Sequence, residues 1–433
     1  MSFAESLGEA GRKRARLCAY ASVLCGGVAG VMLDTSAIII LFMEMLGGGD
    51  MQKMLLNSFT GLVCMFLYIP YVAIIARMGH RQAVRVAGLT GCAGYLLMAC
   101  SPWFGSFRIS AMLTGCLIYC LQRSLYQTCW YPLLDAFLRP EDRGAFFGNL
   151  RSIYYTFTGV LFFLIGLVMG KHPPLWLMQT IIGAAGLLLL GRYYFISKFP
   201  TDPNAVPEVP NIRKSLGISV RNGPLTAYSV YVCLLSLAIT SLAPLLFIYL
   251  RSKYVGLQPG TVQIISAVGM GGHIVGFLVY KNMLRAFGQK KLELFVHISY
   301  IIAAFLLFCI SGSTRGFSFI AASILCLIMF TESVFGCNNS GEMMALARPG
   351  NKTMASAFVQ TYMSVGVFIG RGGVSLMLGA ALLAPQWDCR GMTVSHYQTI
   401  FLLCGVIATV MLILIPTLPS VVPNHEDYYE PSR

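Results

Sequence analysis

Twelve stretches of this 433-residue chain are apolar over roughly twenty residues or more, the length at which a helix crosses a bilayer. They lie near 18–46, 53–76, 83–102, 109–137, 146–170, 174–196, 225–250, 260–283, 292–312, 316–338, 353–383 and 397–418. Lipid offers no hydrogen bonds, so each spanning segment must satisfy its own backbone, and a helix does so without a partner. Composition agrees, with 56% of residues hydrophobic and 11% charged, against about a quarter charged in soluble domains. The expected fold class is all-α integral membrane, with twelve transmembrane helices.

The chain divides into six spans and six spans. A polar segment from Lys198 to Asn222 separates them, and its prolines at 200, 203, 207 and 210 suggest an extended linker. The expected organisation is a six-helix bundle over 1–197, a linker over 198–223, and a second bundle with a short tail over 224–433. The first 16 residues are polar and basic, and the apolar run behind them is too long for a signal-peptide core, so no cleaved leader is expected.

The net charge of +14 bears first on topology. With the N-terminus inside, 21 Lys and Arg fall on the cytoplasmic side and 7 on the other, while Arg123, Arg192 and Arg371 lie within or at the edge of spans. That bias puts both termini and the linker in the cytoplasm. Nucleic acid is not an expected partner, because no basic surface carries clustered aromatics. Of 14 cysteines, 13 lie in spans and Cys389 in a loop, with no Cys-x-x-Cys pair; they read as small apolar packers.

The two halves repeat. Arg77-Met78-Gly79-His80-Arg81 follows the second span and Ala286-Phe287-Gly288-Gln289-Lys290 the eighth, so Gly79 maps to Gly288 at an offset of 209. Arg139-Pro140 after the fourth span maps to Arg348-Pro349 after the tenth at the same offset. Parallel six-helix repeats are a transporter design with the substrate site between them.

The loop at 72–81 resembles the Gly-x-x-x-Asp-Arg-x-Gly-Arg-Arg signature of the major facilitator superfamily. Arg77, Gly79 and Arg81 match it; Val72 and Ala76 depart from it, and His80 replaces a basic position. Pro140-Glu141-Asp142-Arg143-Gly144 looks like the family's loop between its fourth and fifth helices. The Gly-Pro motif of many drug exporters is not visible in the fifth span. The resemblance implies two pseudo-symmetric six-helix bundles and a gate formed by Arg77, Gly79, Arg81, Asp135, Arg139 and Arg143, with Gly288 and Arg348 as the repeat's counterparts.

Polar and aromatic residues of the fourth span fall at Tyr119, Gln122, Arg123, Tyr126, Gln127 and Trp130, one helical face. A charge at mid-membrane costs about 2.5–3.5 kcal/mol on insertion scales, so Arg123 is expected to face a polar path or a helix partner. The 209 offset carries Arg123 to Glu332, and Asn338, Asn339 and Glu342 follow it on the tenth span. The expectation is a central cavity with Arg123 opposite Glu332, in which Tyr119, Gln122, Tyr126, Gln127, Asn338, Asn339 and Arg371 bind substrate. Asp34, Glu332 and His273 are the candidates for proton coupling, since an acid withdrawn from water can carry a proton. A helix–helix pairing role stands beside each of these. Glu44, near a span end, is expected to be solvated. Gly26-Gly27-x-x-Gly30 and Gly366-x-x-x-Gly370 permit close helix crossings.

No phosphate-binding Gly-x-x-x-x-Gly-Lys-Ser/Thr loop and no His-Glu-x-x-His motif occur. No enzyme and no cofactor are expected. The expected function is secondary active transport of a small polar solute, with an organic anion such as a sugar acid preferred because of Arg123 and Arg371. A neutral sugar or nucleoside is the alternative, followed by drug efflux, a sensor or a lipid scramblase. A monomer in a plasma or bacterial inner membrane is expected, with proton or another ion as coupling partner.

Overall fold

The structure is a computed structural model that describes residues 7–135, 137–138, 143–200, 211–348, 351–389 and 391–414. In the first half, the helices are α1 (Glu9–Asp34), α2 (Ile38–Met45), α3 (Asp50–Met78), α4 (His80–Cys100), α5 (Arg108–Asp135), α6 (Arg143–Met169) and α7 (Leu175–Ile196). A short α8 (Ile212–Val220) follows, then α9 (Gly223–Ile239), α10 (Leu242–Arg251), α11 (Pro259–Cys309), α12 (Phe317–Leu346), α13 (Lys352–Gly379) and α14 (His396–Leu414). Among the described residues, eleven helical runs are long and apolar enough to cross a membrane; one, His80–Trp130, contains both α4 and α5. The twelve expected spans are therefore all present.

Two of those spans are broken. The first is split into α1 and α2 at Thr35, and the seventh into α9 and α10 at Thr240. Pro244 explains the second break. It has no N–H to give the carbonyl four residues back, which is that of Thr240. Both freed carbonyls are caught by side chains: Ser266 Oγ donates to Thr35 O at 3.0 Å, and Arg371 Nε donates to Thr240 O at 3.1 Å. A backbone break at membrane depth is tolerated where neighbouring helices re-satisfy it.

The proline-rich part of the linker at 201–210 lies outside the described residues, and the part that follows is helical rather than extended. Asn211 caps α8 by accepting from Lys214 N at 3.1 Å, and Asn351 ties α8 to α13 through Ser215 O and Ser219 Oγ, both at 3.0 Å. Between α13 and α14 the chain forms an unforeseen antiparallel hairpin, β1 (Gln386–Cys389) with β2 (Met392–Ser395), in register Gln386↔Ser395. All fourteen cysteines are free thiols.

In the first half α1 packs on α7, and α4 packs on α5 and α7; in the second half α9 packs on α13, and α11 on α12 and α14. The halves meet along α3–α13 and α6–α11. Glycine sets these approaches: a Cβ on Gly61 would lie 2.5 Å from Phe368 N, and one on Gly366 would collide with Cys233 O. Gly370 meets Leu237 O in the same way, so the 366–370 glycines are helix-crossing residues as their spacing suggests.

One end of the inter-half seam is heavily tied. Arg251 of α10 pairs with Glu44 at 2.5 Å and Lys53 lies 3.6 Å from the same carboxylate, so Glu44 is ion-paired rather than simply solvated. Ser36 donates to Gln263 at 3.1 Å, Gly260 N to Gly170 O at 2.9 Å, and Ser375 to Met51 O at 2.8 Å. Tyr397 also bonds Asp50.

The opposite end carries the repeated glycines. Gly79 closes α3 at φ 81°, ψ 149°, and Gly288 kinks α11 at φ 71°, ψ 167°. This region is essentially closed to side-chain-bearing residues and costs about 1–3 kcal/mol when forced. Nothing lies within 4 Å of a Cβ built on either. Gly79→Ala and Gly288→Ala are therefore expected to destabilise by that backbone cost alone, and Gly79→Leu by no more than alanine does. Thermal unfolding of the purified variants checks this; an unchanged midpoint for alanine would refute the backbone explanation.

Candidate functional site

Arg123 projects from the middle of α5, and its Nη2 pairs with Asp34 Oδ2 at the end of α1. Both side chains keep about a fifth of their exposure, 21% and 23%. The pair forms where α1 breaks, so the residue that ends the helix also holds the charge. Arg123 Nη1 is buried with no partner. The expected partner, Glu332, is not bonded to Arg123. Glu332 lies across the cleft between the halves, within electrostatic reach of Asp34, Arg123 and Arg371. Its side chain is 51% exposed, although neighbouring Thr331, Ser333 and Val334 are buried. The same face of α12 continues through the partly exposed Gly336, Cys337 and Ser340, and Arg151 of α6 reaches Cys337 from the other half at 2.8 Å. Glu332 therefore opens into the space between the halves.

His273 of α11 stands beside it. Its Nδ1 is 2.6 Å from Ser333 Oγ, and its Nε2 is 3.9 Å from Glu332 Oε2 with no hydrogen-bond partner. Tyr155 of α6 packs tilted against the imidazole at 4.4 Å between ring centres, and Phe277 stacks with it at 6.2 Å. The acid, within electrostatic reach of the Asp34–Arg123 pair, thus sits beside a buried imidazole flanked by two aromatic rings.

The polar stripe of α5 divides. Arg123, Gln127 and Trp130 keep partial exposure, and Gln127 accepts from Tyr68 of α3 at 2.5 Å. Tyr119, Gln122 and Tyr126 are buried. Tyr119 packs edge-on against Tyr95 at 4.7 Å, and Gln122 fills the space left by Gly91 of α4. Tyr126 lies under the Arg192 guanidinium, 4.0 Å from its ring centre. A six-residue stripe is wider than the cleft, so its edge turns into the bundle.

Arg371 is partly committed to backbone carbonyls in this arrangement. Besides Thr240 O, it donates Nη1 to Asn57 O at 3.0 Å and Thr60 Oγ1 at 3.4 Å in α3. The signal for this role in the sequence is Pro244, whose missing N–H leaves the Thr240 carbonyl in need of a donor. Asn338 and Asn339 also leave the cleft, being 0% and 4% exposed inside the second bundle. Asn338 bonds Glu293, and Asn339 accepts from Tyr228 at 2.8 Å.

Of the expected gate, Arg81 ties α4 to the chain after α7 through Phe199 O at 2.7 Å, while Arg77 and Arg348 are exposed. Arg139 lies outside the described residues, as do the side chains of Asp135 and Arg143.

The fold resembles several solved transporters. A point mutant of the nucleoside transporter NupG superposes with a TM-score of 0.70 at 14% identity, covering 94% of this chain and 99% of that one. A D-xylose-proton symporter gives 0.69 at 10% identity, covering 95% and 97%. A bacterial homologue of the iron transporter ferroportin, in an inward-facing state, gives 0.64 at 14%, covering 95% and 99%. No curated protein matches the chain significantly in sequence. The sequence profile of the Major Facilitator Superfamily matches residues 21–371, most of the length over which the two six-helix halves and their charged cleft have been described, and the chain belongs to that family.

Proposed function

We propose that the protein is a proton-coupled secondary transporter that carries a small, neutral, hydrogen-bonding solute, of the sugar or nucleoside class, through the cleft by alternating access. The observation that carries this is the state of the cleft's charges. Arg123 is neutralised by Asp34 and Arg371 is bound to carbonyls, while Glu332 stands half-exposed with no Lys or Arg paired to it among the described residues. An organic anion would have to displace Asp34 from Arg123, whereas a neutral solute meets partly exposed hydrogen-bonding groups at Gln127 and Glu332. Fold likeness to a nucleoside transporter and a xylose-proton symporter supports the class. The tied Glu44 end is read as the non-cytoplasmic side, because the Gly79 end carries the excess of Lys and Arg. Both termini are then cytoplasmic.

The unpartnered Arg123 Nη1 favours one second reading. Protonation of Asp34 would release the guanidinium, whose planar fork suits a carboxylate. Proton and organic anion would then travel together.

Uptake of radiolabelled pentoses, nucleosides and sugar acids into proteoliposomes under an imposed pH gradient tests the class. Accumulation of a neutral solute is expected; accumulation of sugar acids alone would replace the first reading by the second.

Glu332→Gln is expected to abolish gradient-driven accumulation while leaving solute exchange intact, since exchange moves no net proton. Wild-type accumulation by this variant would remove Glu332 from coupling.

Removing one member of a buried ion pair costs about 3–5 kcal/mol, and less here because both side chains keep some exposure. Arg123→Ala is thus expected to lower the thermal midpoint, and Arg123→Ala with Asp34→Ala to recover most of the loss. If the double variant also recovers full transport, the pair serves the fold and not the solute.

A further inference from the structure

The buried imidazole of His273 reaches α12 because two glycines let the helices come close. A Cβ on Gly272 would collide with Cys326 O, and one on Gly276 would lie 2.8 Å from Phe330 O and 2.9 Å from Ser333 Cβ. The ring thereby stands beside two consecutive residues of α12, Glu332 and Ser333.

One ring nitrogen is committed. Ser333 Oγ donates to Met329 O at 3.2 Å, so at 2.6 Å from His273 Nδ1 it is the acceptor, and Nδ1 carries the ring hydrogen. Nε2 is then a bare acceptor. It is buried without a partner, which is rare for a polar atom. The Glu332 carboxyl lies beside it, with Oε2 3.9 Å away. Closing that gap by about 1 Å makes a hydrogen bond. Glu332 is half-exposed and has no Lys or Arg paired to it among the described residues, so its side chain is free to make the move.

While Glu332 is ionised, two acceptors face each other and neither satisfies the other. One proton satisfies both. Taken up on Glu332 from the cleft, it is donated to Nε2. Hydrogen bonds then run unbroken from Glu332 through His273 and Ser333 to Met329 O. A bond that only the protonated acid can make favours that form. Other groups act on Glu332 from every side: Asp34 of α1, Arg123 of α5, Arg371 of α13, Tyr155 of α6 and Tyr300 of α11, with Arg151 near Tyr155. They set the field, whereas Nε2 offers a bond.

We propose that His273 is the positioning residue for the proton on Glu332: its Nε2 holds the protonated carboxyl while its own hydrogen stays fixed on Ser333. That this proton drives transport rests on the coupling role given to Glu332 above. The proton leaves by the same carboxyl, so His273 ends each cycle as it began.

The test is infrared titration of the full-length purified protein without solute. The carboxyl C=O band of Glu332 is identified by its loss in Glu332→Gln, and its intensity against pH gives the midpoint. Ser333→Ala keeps the imidazole in place but releases Nδ1, so the ring hydrogen can move to Nε2. It is expected to lower the midpoint by about one pH unit, the worth of one hydrogen bond. His273→Asn is too short to reach Glu332 and is expected to lower it at least as far; it serves on its own if the alanine variant does not fold. An unchanged midpoint in either variant overturns the proposal and leaves a ring that only packs. A raised midpoint in His273→Asn also overturns it, since Nε2 then carries the hydrogen and donates to the ionised acid. So does a protein in which Glu332→Gln removes no band at any pH, because Glu332 then takes up no proton. Failure of the coupling reading shows elsewhere: wild-type accumulation by Glu332→Gln removes the coupling role and leaves this pair standing.

Discussion

The ion pair between Asp34 and Arg123 is the interaction on which the centre of the molecule depends. A lone charge at mid-membrane is strongly disfavoured, and an arginine there persists only with a partner or a polar path. Asp34 supplies the partner from the residue that ends α1, so the helix break and the charge pair occupy one place. The break frees the Thr35 carbonyl, and α11 answers with Ser266. Both helix breaks near the cleft are settled in this way, by a side chain from another helix. The polar residues are therefore set by the backbone's own needs as much as by any solute.

The two halves share this logic without sharing its details. Gly79 and Gly288 occupy corresponding positions and nearly the same φ and ψ, the mark of a repeated turn that only glycine fits. The first span of each half is broken as well, at Thr35 and Thr240. Their rescuers differ: a serine hydroxyl in one case and an arginine in the other. Divergence of the rescuers frees one half to hold an ion pair and the other to present Glu332 unpaired. A symmetric scaffold thus yields an asymmetric cleft.

The spans, the repeat and the glycine crossings are legible in the sequence because length, hydropathy and spacing fix them. Arg123 and Glu332 are legible as cleft residues because a charge at that depth has few places to go. Which acid Arg123 chooses is not, since the 209 offset relates positions by pseudo-symmetry and says nothing of contact. Asp34 wins because the end of α1 meets the middle of α5. The burial of Tyr119, Gln122, Asn338 and Asn339 is hidden because helical spacing gives a face and not its width. Arg371 reads as an anion site unless the missing N–H of Pro244 is traced back to the Thr240 carbonyl. The hairpin at 386–395 offers too short an alternating run to stand out.

Alternating access requires that the ties between the halves be exchangeable for water, and the observed ones divide on this point. The Glu44–Arg251 pair, which crosses between the halves, keeps some exposure, and pairs of that kind contribute about 0–1 kcal/mol net. They orient the halves without locking them. Arg371 is different. Its bond to Thr240 stays within the second half, while its bonds to Asn57 and Thr60 cross to the first. If the halves rock apart, the Thr240 bond can survive and the crossing bonds cannot. Nη1 is then released from α3, and Glu332 and Asp34 are already within electrostatic reach of the side chain. The same arginine thus ties the broken helix within its own half and joins that half to the first.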